Sequence, residues 1–225
     1  MIELVPLALL GGILGLDVVC FPQMMVSRPL VAATLGGAMA GNATMGVLLG
    51  VTLELFALAT LPFGASRYPE WGSASVVGGA ITSAMPDATV GALTVGVLAT
   101  LATAWIGGMS LVSLRQWNAW MARRRRPALD AGARGTVIGL QLAGLTADVV
   151  RASLLTVGAY LVLHPLTHAL VGAWTLGDSV SRGFVVSVAC AVSFTAAWTI
   201  FHSARGARWY FAGGLGFGFL ILVVR

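Results

Sequence analysis

Residues 88–114 carry no charged side chain. A stretch of that length, wound as one helix, crosses the hydrocarbon core of a bilayer with some tilt. The rest of the composition points to the same solvent. Of 225 residues, 58% are hydrophobic and 9% are charged, whereas soluble domains carry roughly 25% charged residues. A chain of this size cannot hide so much apolar surface in one aqueous core. The expected fold is therefore an all-α integral membrane protein, a polytopic helical bundle.

Hydropathy divides the remainder. Apolar stretches cover 4–21, interrupted by Asp17, and 43–62, with Glu54 inside. Two shorter ones, 29–40 and 73–85, cannot span as helices. They read as broken or re-entrant segments in the N-terminal half, which survive at membrane depth only where protein or a watery cavity covers them. A polar turn, 64–72, separates 43–62 from 73–85. Residues 115–135 hold the run Arg123–Arg126 and read as a cytoplasmic loop by the positive-inside rule. Beyond it, 136–163 is apolar but contains Gln141, Asp148 and Arg151; the last of these alternatively marks an interfacial helix. His164, Pro165 and His168 suggest an interfacial loop before spans at 183–202 and 209–224. Arg205 and Arg208 then fall on the same side as the arginine run. The organisation expected is an N-terminal transmembrane region, 1–114, a cytoplasmic arginine-rich loop, 115–135, and a C-terminal transmembrane region, 136–225. Met1-Ile2-Glu3 lacks a basic n-region, so the first apolar stretch is expected to stay as a helix.

Other functions find little footing. The net charge is +5, but the arginines concentrate in one run between apolar stretches, so no nucleic-acid partner is expected. Cys20 and Cys190 make no CxxC pair, and His164 and His168 lack an obvious third ligand. No metal, disulfide or cofactor is expected. The chain shows no GxxxxGK[ST] loop and no recognisable Ser/His/Asp set, so it is not expected to be an enzyme. GxxxG spacings at Gly11/Gly15, Gly37/Gly41, Gly46/Gly50 and Gly214/Gly218 fit close helix packing and an oligomer. Six tryptophans, Trp71, Trp105, Trp117, Trp120, Trp174 and Trp209, lie near span boundaries, as an aromatic belt would.

The chemistry concentrates in the first half. Asp17 and Glu54 are acids in apolar surroundings, where a charge costs roughly 2.5–3.5 kcal/mol on insertion scales. An ion pair of Arg28 with either acid offsets that cost. A sugar offers an alternative reason for them: its hydroxyls donate and accept, and a carboxylate with an amide such as Gln23 or Asn42 suits them. Proton or sodium coupling also uses an intramembrane acid.

The run from Asp17 through Phe21-Pro22-Gln23 to Arg28-Pro29-Leu30 resembles the N-terminal motif of the EIIC subunits of the mannose–fructose–sorbose phosphotransferase family. Ala40-Gly41-Asn42-Ala43-Thr44-Met45-Gly46 is similar to its short turn. Gly50-Val51-Thr52-Leu53-Glu54 resembles its glutamate-bearing helix, and Leu61-Pro62-Phe63-Gly64-Ala65 the turn that ends it. The pieces follow the family's order over about residues 10–82. Asn42 stands where the family often has Asp, and 66–71 differ from its usual turn. The resemblance implies a sugar-translocating subunit in the bacterial plasma (inner) membrane. Its partners would be a IID membrane subunit and IIA and IIB phosphocarriers, and its substrate a mannose-, fructose-, sorbose- or amino-sugar-class molecule. On motif position, Asp17, Gln23, Arg28, Asn42 and Glu54 are the expected substrate-site residues. An ion-coupled secondary transporter using Asp17 and Glu54, and a non-transporting scaffold subunit, are the alternatives.

Overall fold

A computed structural model describes residues 3–18, 20–58, 60, 67–85 and 90–224, and among them all regular structure is helical. The helices are α1 (Leu4–Asp17), α2 (Pro29–Met39), α3 (Ala43–Leu58), α4 (Trp71–Ser83), α5 (Val90–Arg124), α6 (Arg126–Asp130), α7 (Arg134–Gly172), α8 (Asp178–Phe201) and α9 (Ala207–Val224). Among the described residues, three helices are long and apolar enough to cross a membrane: Gly91–Arg124, Arg134–Gly172 and Asp178–Thr199. The segment 61–65, expected as a turn by resemblance, lies outside the described residues.

Helix α4 is the centre of the bundle. All thirteen of its residues are buried, packed by α1, α2, α3, α5 and α7. At about 1.5 Å per residue it is about 20 Å long, short of the roughly 30 Å apolar core. A helix that short is stable at depth because protein covers both ends. Glycine makes the contacts close. A Cβ on Gly79 would run into the carbonyl oxygen of Ala33, and one on Gly36 into that of Val76. The α2–α4 crossing is thus backbone against backbone.

Helices α2 and α3 form a hairpin whose first leg is about half a span, as the short stretch 29–40 predicts. The turn needs Gly41, whose φ is +90°, a conformation that costs glycine little. Its tip is tied down by Ser83, whose hydroxyl donates to the Asn42 carbonyl at 2.8 Å. The open ends of the hairpin bring Arg28 beside Glu54.

Helices α5 and α7 run antiparallel. Gly91 lies against the Trp174 ring at one end, and Gly144 against Asn118 near the other. With 35 and 39 residues, they reach about 52 and 58 Å, longer than the roughly 30 Å bilayer core, so their ends run into the interface. Their excess forms an arm: no residue of 113–124 in α5 or of 134–147 in α7 is buried.

Several expectations are corrected here. The segment 115–135 is not a loop: α5 continues to Arg124, α6 follows, and α7 begins at Arg134. Charge drives the segment out of lipid, but Arg and Ala are good helix formers in water too. His164, Pro165 and His168 lie inside α7, with the two imidazole rings 5.1 Å apart. Proline removes one N–H from the ladder, which a helix of 39 residues tolerates. Arg151 marks no interfacial helix; it sits within α7, paired with a buried Asp148 at 2.7 Å. Trp71 belongs to the core, 7% exposed. Of the GxxxG pairs, Gly11/Gly15 meet Thr156 and Ala152 of α7, whereas Gly214 and Gly218 have open space before them.

Candidate functional site

Asp17 ends α1 and is 1% exposed. Its carboxylate organises the loop that follows. Oδ1 accepts from the Met24 N–H at 2.8 Å. Oδ2 accepts from the Ser27 N–H at 3.0 Å and the Ser27 hydroxyl at 2.8 Å. A carboxylate in an apolar bundle is thus satisfied by backbone and hydroxyl donors, with no cation needed. The loop it holds is strained: Gln23 and Met25 both have φ of 60°, in the left-handed region that costs a non-glycine residue roughly 1–3 kcal/mol. Such strain persists where surrounding contacts over-determine it, and it clusters at ligand sites.

Arg28 leaves that loop and opens α2, with Pro29 at the first helical turn. Its Nε donates to Glu54 Oε1 at 2.6 Å, and its Nη2 pairs with the same oxygen. Glu54 Oε2 accepts from the Leu30 N–H at 3.2 Å. Glu54 therefore neutralises Arg28 and caps α2, whose partly positive N-terminus favours an anion. Of the two acids weighed as partners for Arg28, the structure selects Glu54. Both side chains of the pair are 24% exposed, so the pair is within reach of a solute.

Asp17, Gln23, Ser27, Arg28, Thr60 and Trp71 line a cavity of about 150 Å³. The Trp71 indole N–H donates to the Thr60 hydroxyl at 3.1 Å, which fixes the ring as part of the wall. The cavity's depth follows from α4, whose N-cap Glu70 donates its backbone N–H to the Ala104 carbonyl at 2.9 Å.

The five expected residues are not all together. Asp17, Gln23 and Arg28 line the cavity, and Glu54 holds Arg28. Asn42 sits at the far end of α2, about 16 Å away along its eleven residues. There its Oδ1 accepts from the Met45 N–H at 3.1 Å, the bond of a helix N-cap. Sequence reasoning missed Glu70, which is 0% exposed. It accepts from the Ser73 N–H at 3.1 Å and from the Ser73 hydroxyl, starting α4. The available signal was an acid directly before a Gly- and Ser-rich apolar stretch. A second polar cluster lies behind the loop. Cys20 donates its thiol to Asp148 at 3.3 Å, and Arg151 bridges Asp148 to the Ser110 hydroxyl at 3.0 Å. Among the described residues, no group of three or more metal-binding side chains occurs.

The fold and site define a multi-pass, all-α membrane protein with a small cavity, lined by a few polar side chains, beside a hairpin of short helices. Residues 1–169 match the family model of the PTS system sorbose-specific IIC component, and the chain belongs to that family. It is 28% identical to the fructose permease IIC component of Bacillus subtilis, over 67% of this chain and 53% of that protein. The sorbose-specific EIIC component of Klebsiella pneumoniae is 26% identical over 76% of this chain and 64% of its own length. The mannose-specific EIIC component of Escherichia coli K12 is 25% identical with the same coverages. The chain thus spans less than two thirds of these relatives. In fold, it is similar to a chain from the complex of the mannose transporter ManYZ with microcin E492, with a TM-score of 0.60, 19% identity, and 98% and 94% coverage. It is also similar to a solved membrane protein with a TM-score of 0.75, 19% identity, and 96% and 86% coverage.

Proposed function

We propose that this chain is the sugar-translocating EIIC subunit of a phosphoenolpyruvate-dependent phosphotransferase system of the mannose, fructose and sorbose type. It carries a hexose or hexosamine inward across the bacterial inner membrane for phosphorylation by a IIB partner. It works with IID and IIA and assembles as a homo-oligomer. Phosphoryl transfer takes place on the partners. The observation that carries this reading is the cavity lined by Gln23, Arg28 and Trp71, built by an Asp17-held loop inside an apolar bundle. Gln23 supplies an amide for sugar hydroxyls, and Arg28 supplies N–H donors. Asp17, Glu54 and Asn42 brace these groups through the loop, the ion pair and the α3 cap.

The test is uptake of labelled hexoses by cells that lack their own hexose carriers and express this chain with IIA, IIB and IID proteins. Expected is accumulation of sugar phosphate that requires phosphoenolpyruvate and persists when a protonophore removes the proton gradient. Uptake independent of the phosphocarriers but lost with the gradient would mean an ion-coupled carrier. Glu54→Gln frees Arg28 from its counter-charge, and transport is expected to fall by about tenfold or more, the effect of about 1.4 kcal/mol. Full uptake with intact assembly in that variant would remove Glu54 from the mechanism.

A further inference from the structure

The tip of the α5–α7 arm is not closed. Where the two helices diverge, a cavity of about 630 Å³ opens between Trp120, Met121, Arg124 and Arg125 on one side and Gly135, Thr136, Gly139, Leu140 and Ala143 on the other. Its lining has two chemistries. The α5 side carries Arg124 and Arg125, and no acidic side chain lines the cavity. The α7 side is apolar apart from Thr136, and Gly135 and Gly139 have open space within 4 Å. From Arg115 to Arg134 the sequence holds six arginines, and Asp130 is its one acid. Asp130 lies 3.6 Å from Arg126, so it is committed elsewhere. The Arg124 guanidinium lies 4.1 Å over the Trp120 ring, an arrangement that holds its planar fork in place.

The surroundings identify the medium. Trp117 and Trp120 are 40% and 42% exposed, and Val137 and Ile138 are 49% and 45% exposed. Tryptophan beside apolar side chains and arginine is the composition of a membrane–water interface. The arginine run assigns that interface to the cytoplasmic side, whose leaflet is negatively charged.

We infer that this cleft binds one anionic glycerophospholipid of the cytoplasmic leaflet, its phosphate on Arg124 and Arg125 and its glycerol and proximal acyl chain over Gly139, Leu140 and Ala143. The charge complementarity is local, because two unneutralised arginines face a leaflet of phosphates. Guanidinium suits the ligand better than ammonium would, since its fork meets two phosphate oxygens at once. The largely apolar α7 side selects a lipid over a free phosphate.

The full-length chain, purified in mild detergent, is offered phosphatidylglycerol or phosphatidylcholine of matched acyl chains, and retained lipid is counted by native mass spectrometry. One phosphatidylglycerol is expected to stay bound in preference to phosphatidylcholine. Arg124→Gln with Arg125→Gln is expected to weaken that retention roughly thirtyfold, from the contribution of two near-surface arginines. Gly139→Leu, which leaves the arginines in place and fills the α7 side, is expected to weaken it too. Equal retention of both lipids, or retention indifferent to the double variant, would overturn the assignment. So would displacement by glycerol phosphate at the lipid's own concentration, which would mean a soluble phosphate site. Displacement by an acidic phosphocarrier protein but not by competing phosphatidylglycerol would also overturn it, and would make the cleft a protein-docking surface.

Discussion

Three donors converge on the carboxylate of Asp17. Asp17→Ala strands them, at about 1–3 kcal/mol for each that stays buried. The variant is expected to melt at lower temperature in detergent and to lose transport. Asp17→Asn keeps one acceptor oxygen and is expected to fall between. Asn42 makes the opposite forecast. As an N-cap, Asn and Asp serve about equally well, so Asn42→Asp should leave stability and uptake unchanged, whereas Asn42→Ala should cost about 1 kcal/mol of stability. Loss of uptake in Asn42→Asp at unchanged melting temperature would make the amide itself a sugar contact. The acids were legible in the sequence because a carboxylate in an apolar stretch is conspicuous. Their partners were less so. Asp17 is satisfied by donors of its own loop, which no survey of charged side chains shows. Glu70 was hidden because its role, capping a helix with no lipid-facing side, depends on that helix being buried.

Elements divide by what covers them. The short helices were legible as interruptions in hydropathy, and the structure shows why they hold: α2 and α4 meet through Gly36 and Gly79 at backbone distance. Gly79→Ala drives a methyl group into the Ala33 carbonyl, and a loss of about 1–3 kcal/mol or more is expected from overpacking. Gly213→Ala meets open space and should gain up to about 1 kcal/mol in helix propensity. Thermal unfolding of the two variants side by side measures the difference. The arm was not legible. Hydropathy marks where lipid ends, and 115–135 reads as a loop for that reason, yet helical hydrogen bonds do not stop at the membrane surface. Pro165 misleads in the same way, since a proline removes one hydrogen bond from a helix whose other turns on both sides stay intact.

For the molecule as a whole, antiparallel α5 and α7 place the arm at one membrane face and the α7–α8 connection at the other. The α8–α9 turn then returns to the arm's side. In a Cys20→Ser, Cys190→Ser background, single cysteines at Ala131 and Ala204 should react with an impermeant maleimide only from the cytoplasm. A cysteine at Thr175 should react only from outside. Labelling of Ala131→Cys from outside would invert the topology.

The complete burial of α4 also bears on how the chain enters the membrane during synthesis. A thirteen-residue helix rich in Gly and Ser is too short to leave the translocon for lipid on its own account. Its lasting surroundings include α5 and α7, which are synthesised after it. Residues 71–83 must therefore wait, in water or against the insertion machinery, until those later helices arrive. A released chain truncated after Met85 should leave this segment accessible to protease, and one truncated after Gly172 should protect it.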